Sequence, residues 1–184
     1  MKPLKVGTSY DVSFSPDGDR LMTAGRNIAL WSIGRRKKQW WSHPFSHPSH
    51  FAFSPDGGRV VVKNTAGGLL VVLADDGSVL SRSAEEGEGT GVLFSPSGDV
   101  LVDGSWDGRL THRSATSGDV IHTIDFSGMI DELHALPGAA SFITGHAGVE
   151  VASPYFLRWG WEPGADPIER FDRPGRHSAF DGTA

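Results

Sequence analysis

Apolar residues along this chain fall in short runs of about four to seven, rich in β-branched and aromatic types and bounded by Gly, Pro, Asp and Ser. Nowhere do they keep a 3.6-residue period over three turns, so no amphipathic helix is expected. The runs come in groups of four. The first run of each group spans 10–14, 50–53, 91–94 or 130–136, and the second spans 21–24, 60–62, 100–102 or 141–144. The third spans 28–31, 69–73, 109–112 or 155–161, and a more polar fourth spans 39–41, 79–81, 120–124 or 168–171. Each group predicts a four-stranded antiparallel meander, with strands a, b, c and d.

A repeated turn separates strands a and b. Phe14-Ser15-Pro16-Asp17-Gly18 returns as Phe53-Ser54-Pro55-Asp56-Gly57 and as Phe94-Ser95-Pro96-Ser97-Gly98, with a worn copy at Leu136-Pro137-Gly138. The prolines at 16, 55, 96 and 137 are 39, 41 and 41 residues apart. Proline presets φ for the second turn position, and glycine takes the positive φ that other residues resist. The phenylalanine before each turn is expected to end the innermost and most buried strand, where truncation to alanine would cost about 3–5 kcal/mol.

A four-stranded unit of this period, with these turns, resembles the WD-repeat β-propeller family. The third copy carries it best: Gly104-Ser105-Trp106-Asp107-Gly108-Arg109-Leu110 is similar to that family's b–c turn, and Ala115-Thr116-Ser117-Gly118-Asp119-Val120 to its c–d turn. Leu30-Trp31-Ser32 stands where the family places its Trp-Asp pair. The sequence also departs from the pattern. Val72-Leu73-Ala74 and His112-Arg113-Ser114 replace the terminal Trp-Asp, and no Gly-His precedes strand a, so the family's buried His–Asp network is not implied.

The expected fold is all-β, a partial propeller forming one repeat domain. Its four blades cover residues 7–43, 44–84, 85–126 and 127–172, and residues 173–184 begin a fifth, with 176–182 as its opening strand. Residues 3–6 read as a weak outer strand. Family members commonly have seven blades, which leaves three readings open. The chain is part of a longer propeller, or it assembles through exposed blade ends with itself or another half-propeller, or it closes alone as a small ring.

Composition narrows the function. The 24 glycines and 11 prolines make about 19% of the chain against roughly 12% in average usage, as suits many short strands and turns. The absence of cysteine excludes disulfides, thiolate metal sites and cysteine nucleophiles, and fits a cytoplasmic setting. A net charge of −5 argues against a general nucleic-acid binder, and the four-residue basic tract 35–38 reads as a solvated turn. No run is long enough to span a membrane as a helix, and the N-terminus lacks the apolar core of a signal peptide. Nucleophile-elbow, phosphate-loop and zinc-protease motifs are absent. The spaced glycines 87, 89 and 91 read as a flexible connector. Neither catalysis nor a cofactor is expected.

Family topology places b–c turns and d–a loops on one rim, the recognition face that the resemblance implies. That rim would carry Arg26, Asn64, Thr65, Trp106, Asp107 and His146, beside the aromatic d–a segment with Trp40, Trp41, Phe45 and His47. The contacts expected for a protein partner are Trp40, Phe45, His47, Trp106 and His146, with Arg26 and Asp107 as polar members, since aromatic side chains dominate interface energetics. Trp40 and Trp106 have a second reading as packing between blades. His43, His47 and His50 have metal-ligand chemistry, but Pro44 and Pro48 exclude a helix that would align them, and no nearby carboxylate offers a fourth ligand. The acidic loop 85–88 is either a solvated loop or a lure for a basic partner.

Overall fold

The computed structural model describes residues 6, 9–42, 47–84, 87–136, 138, 140–148 and 151–173, the side chains of Tyr10 and Trp41 excepted. The described residues form sixteen strands and no helix. Blade 1 is β1 (Ser9–Phe14), β2 (Arg20–Gly25), β3 (Ile28–Ser32) and β4 (Lys37–Ser42). Blade 2 is β5 (Pro48–Phe53), β6 (Arg59–Asn64), β7 (Leu69–Leu73) and β8 (Val79–Arg82). Blade 3 is β9 (Gly89–Phe94), β10 (Val100–Ser105), β11 (Arg109–Ser114) and β12 (Val120–Asp125). Blade 4 is β13 (Met129–Ala135), β14 (Phe142–Ala147), β15 (Tyr155–Trp159) and β16 (Glu169–Asp172). Each blade is an antiparallel meander in chain order, as the four-run pattern implies. The first strands β1, β5, β9 and β13 neighbour one another in sequence, which makes them the innermost strands of a partial propeller. The expected outer strand at 3–5 and fifth-blade strand at 176–182 lie outside the described residues.

The a–b turns are built as their sequence dictates. Gly18, Gly57 and Gly98 take φ of 75°, 69° and 77°. In the first copy the Ser15 backbone N–H donates to the Arg20 carbonyl at 3.0 Å, and the Arg20 N–H donates back to the Ser15 hydroxyl at 2.9 Å. The Asp17 carboxylate accepts from the Ser15 hydroxyl and from the Asp19 N–H. Ser54, Asp56 and Arg59 repeat this geometry. Those bonds favour the ionised carboxylate and hold Asp17 and Asp56 below the usual range.

Three apolar seams join the blades. Met22, Ala24, Ile28 and Leu30 of blade 1 meet Phe51, Val60, Val62 and Val72 of blade 2. Val61, Leu69 and Val71 meet Val92, Phe94 and Leu101. Val102 and Leu110 meet Ile130, Leu133, Phe142, Leu157 and Trp159. An arginine latch runs over the first two seams: Arg20 donates to the Gly57 carbonyl of the next blade, and Arg59 to that of Gly98, both at 2.8 Å. Val100 occupies the latch position of blade 3.

Two expectations about burial need correction. The middle strands b and c, not the innermost strand a, are the most buried, because both their edges are paired and both faces meet neighbours, while strand a lines an open axis. Phe94 is buried as expected, but Phe14 is 62% exposed, so its truncation would not carry the cost of a core residue. The glycine run is also no connector, since Gly89 and Gly91 belong to β9. A Cβ at Gly89 would stand 1.8 Å from the Lys63 Nζ, so glycine here makes room for a buried cation.

Candidate functional site

The b–c turns and d–a loops do share one rim, and hydrogen bonds tie them together in pairs. The Thr65 N–H donates to the His47 carbonyl at 3.1 Å, Gly87 to Ala66 at 3.2 Å, Trp106 to Glu88 at 2.9 Å and Phe126 to Gly108 at 2.9 Å. The approach is close enough to require glycine. A Cβ on Gly67 would lie 1.9 Å from the Gly87 carbonyl oxygen, and one on Gly108 2.3 Å from that of Phe126. Both glycines also take positive φ, 85° and 89°. Each turn is therefore a fixed platform.

The turn between β10 and β11 displays the largest exposed side chain of this rim among the described residues. Trp106 is 47% exposed. Beside it, the Arg109 Nε donates to the Asp107 Oδ2 at 2.9 Å, and the guanidinium closes a second bond at 2.6 Å. The Ser105 hydroxyl donates to the other Asp107 oxygen and accepts from the Arg109 N–H at 3.1 Å. Burial pushes the Asp107 carboxyl up, but Arg109 and Ser105 outweigh it and hold it below its ordinary value. The tryptophan thus stands on a turn whose polar groups are already paired to shape it.

Under this turn lies a buried charge cluster. The Lys63 Nζ of β6 reaches across the seam to the Asp103 carboxylate and the Gly104 carbonyl of β10, and the Arg113 Nε lies 3.6 Å from the other Asp103 oxygen. Burial pushes the Asp103 carboxyl up, and the Lys63 ammonium and Arg113 guanidinium pull it back only in part. A small space of about 10 Å3 remains between these groups, Ser105 and Thr111, enough for one water molecule.

The other expected contacts are scattered. Arg26 is exposed on the b–c turn of blade 1, and His47 is exposed with φ of 53°. Trp40 packs instead between blades: it is partly buried, its indole N–H donates to the Ala74 carbonyl of blade 2 at 2.7 Å, and its ring lies over Gly77. His146 and Asn64 are fully buried rather than displayed. Both belong to the last residues of strand b, which neighbouring blades cover. The His146 Nε2 is 2.7 Å from the Thr144 hydroxyl, which also accepts from the Trp159 indole at 2.8 Å. Its ring stacks on Tyr155 at 4.7 Å, and burial lowers its pKa to about 4. Phe45, His43 and two members of the acidic loop, Glu85 and Glu86, lie outside the described residues. Sequence reasoning missed Arg109, Lys63, Asp103 and Arg113. The signal was a charge closing the apolar b run of blades 2 and 3, at Val60-Val61-Val62-Lys63 and Val100-Leu101-Val102-Asp103.

Along the axis, the inner strands border an open groove of about 430 Å3 with Asp11, His50, Thr90, Asp131, Glu132 and His134 on its walls. Arg173 neutralises part of it by pairing with Asp131 and Glu132. No group of three potential metal ligands forms among the described residues. No helix of the described residues is long and apolar enough to cross a membrane.

No family model matches the chain. It is 32% identical over 126 residues to telomerase protein component 1 of Mus musculus; the match covers 66% of the chain but only 5% of that protein's length. Among solved structures it resembles the hydrazine synthase of Kuenenia stuttgartiensis, with a TM-score of 0.76 at 15% identity over 90% of this chain and 49% of that one. At that identity the likeness concerns the fold, and with the four antiparallel four-stranded sheets it places the chain among propeller-type all-β structures.

Proposed function

We propose that this chain is a non-catalytic interaction module, a divergent WD-repeat-like partial propeller that binds a protein partner through its b–c and d–a rim. The observation that carries this reading is Trp106, a large apolar side chain left half in solvent on a turn braced by the Ser105, Asp107 and Arg109 bonds. A rigid aromatic anchor on a preordered platform loses little entropy on binding. Glu88, whose carbonyl accepts from the Trp106 N–H, and Asp107 beside it add exposed polar groups, as the rim of an interface requires. Arg26 and His47, exposed on the same rim, extend the surface toward blade 1. Binding suits this site better than chemistry, because its hydroxyl, carboxylate and guanidinium are engaged with each other.

A photo-crosslinking residue at position 106 tests this. It is expected to capture a discrete protein whose purified form binds the wild-type chain and loses about tenfold or more in affinity for Trp106→Ala. Equal binding to both would refute the rim site.

A further inference from the structure

One cross-strand pair of strands c and d is filled differently in each of the first three blades. In blade 1 Leu30 lies opposite Trp40, in blade 2 Val71 opposite Ser81, and in blade 3 His112 opposite His122. Leu30 and Val71 are buried apolar side chains, each part of a seam. His112 is buried like them, at 2% exposure. Neither of its ring nitrogens meets a hydrogen-bond partner, and no other histidine among the described residues buries both nitrogens that way. Buried polar atoms left unpaired cost stability, so this ring calls for a partner that packing does not supply.

The surroundings fit a metal ion. The rings of His112 and His122 have centroids 6.5 Å apart and planes tilted by 51°. Two imidazoles sharing one ion at ~2.0–2.1 Å each hold their centres roughly 5–6.5 Å apart, so a small turn of the outer ring closes the pair. His122 is exposed and gives an ion a way in from solvent. The β15–β16 connection of blade 4 lies against it: Gly164 takes φ of 81°, and a Cβ there would stand 3.4 Å from the His122 ring. Phe142 meets His112 edge-on at 6.4 Å, and Trp161 packs on Phe142 at 4.8 Å, so the inner side is apolar. Burial, and after it the neighbouring His122, holds His112 below its ordinary pKa and thus in the neutral form that a metal requires.

We propose that His112 and His122 bind a divalent transition-metal ion of the zinc and copper class, held between strands c and d of blade 3 beside blade 4. Imidazole nitrogen is a preferred donor for such ions, whereas calcium and magnesium take oxygen. Two protein nitrogens are fewer than the four ligands of a closed structural zinc site, so water fills the remaining positions and the ion exchanges with solution. The inference rests on this histidine pair and not on the rim reading.

Equilibrium dialysis of the full chain against Zn2+, with thermal unfolding in the presence and absence of the ion, tests it. Saturable uptake and a higher melting temperature are expected, since an ion that binds only the folded chain stabilises it. His122→Gln is expected to fold like the wild type, to lose the rise in melting temperature and to bind Zn2+ about tenfold or more weakly. Loss of a mere hydrogen-bond partner of a metal-bound histidine already costs that much. His112→Leu, which restores the side chain of blade 1, is expected to lose the ion while melting no lower than the metal-free wild type. If His112→Leu does not fold, electron paramagnetic resonance of the Cu2+-loaded chain reads the same pair, as two nitrogen ligands that fall to one in His122→Gln. A chain that takes up no Zn2+, uptake indifferent to His122→Gln, or uptake lost instead on replacing His43 and His47 would each overturn the proposal.

Discussion

Blades 3 and 4 use the same two backward-facing positions for opposite chemistry. In blade 4, Thr144 and Trp159 share a hydrogen bond inside an aromatic seam with Phe126, Phe142 and His146. In blade 3 the corresponding residues are Asp103 and Arg113, and Lys63 of blade 2 completes an ionic cluster. Blade 1 has the Thr–Trp solution again, the Trp31 indole donating to the Thr23 hydroxyl at 3.1 Å. The backbone frame tolerates either filling, with the Trp159 indole paired to a hydroxyl in one and the Lys63 ammonium to a carboxylate in the other. The difference also reaches the rim. Over the aromatic seam the ring of Phe126 turns inward against His146 and Trp159, while over the charged seam Trp106 stays half exposed, and the proposed recognition site rests on that asymmetry.

Breaking the charged seam is expected to give the largest effect. Asp103→Ala leaves two buried cations facing each other and should destabilise the chain by about 3–5 kcal/mol, read from urea unfolding. Replacing Lys63, Asp103 and Arg113 together with apolar residues should recover much of that loss, because the cluster is held by the need to neutralise buried charge. Next comes the latch: Arg59→Ala removes a charged hydrogen bond between blades, worth about 1.5–3 kcal/mol. In the aromatic seam, Thr144→Val keeps shape but orphans the Trp159 indole and costs about 1–3 kcal/mol.

Acid should distinguish the seams further. Burial holds His146 at about 4 and keeps His112 below its ordinary value too. The unfolded chain takes up protons from about pH 6.5 downward, while folded His146 stays neutral until about pH 4, so its contribution to stability is lost as pH falls through that window. His146→Gln should flatten this loss in urea unfolding repeated from pH 7 to pH 4. The smallest stability effect belongs to Trp106→Ala, within about 0.5 kcal/mol of wild type.

The sequence made the blades legible because turn chemistry is local: Ser-Pro-Asp-Gly specifies its own hydrogen bonds, and the flanking apolar runs can only be strands. The described strands follow the expected runs within a few residues. The candidate site was legible only in part. Trp106 and Asp107 sit on a turn whose seven-residue motif announces an exposed tip. His146 and Asn64 misled because the end of strand b looks like loop in sequence, yet the neighbouring blade buries it. The role of Lys63 was hidden because its partner, Asp103, lies 40 residues away, one full repeat, and only stacking brings them together. Gly89 shows the same limit: its absent side chain has meaning only beside the ammonium of another blade.

The measurement that bears most directly on the account compares Trp106→Ala with Phe126→Ala, one aromatic from each rim region, in urea unfolding and in binding to the protein crosslinked at position 106. The account expects Trp106→Ala to unfold like wild type and lose partner affinity, and Phe126→Ala to lose stability. A Trp106→Ala chain that unfolds early yet still binds would make that tryptophan a packing residue and contradict the rim as the recognition face.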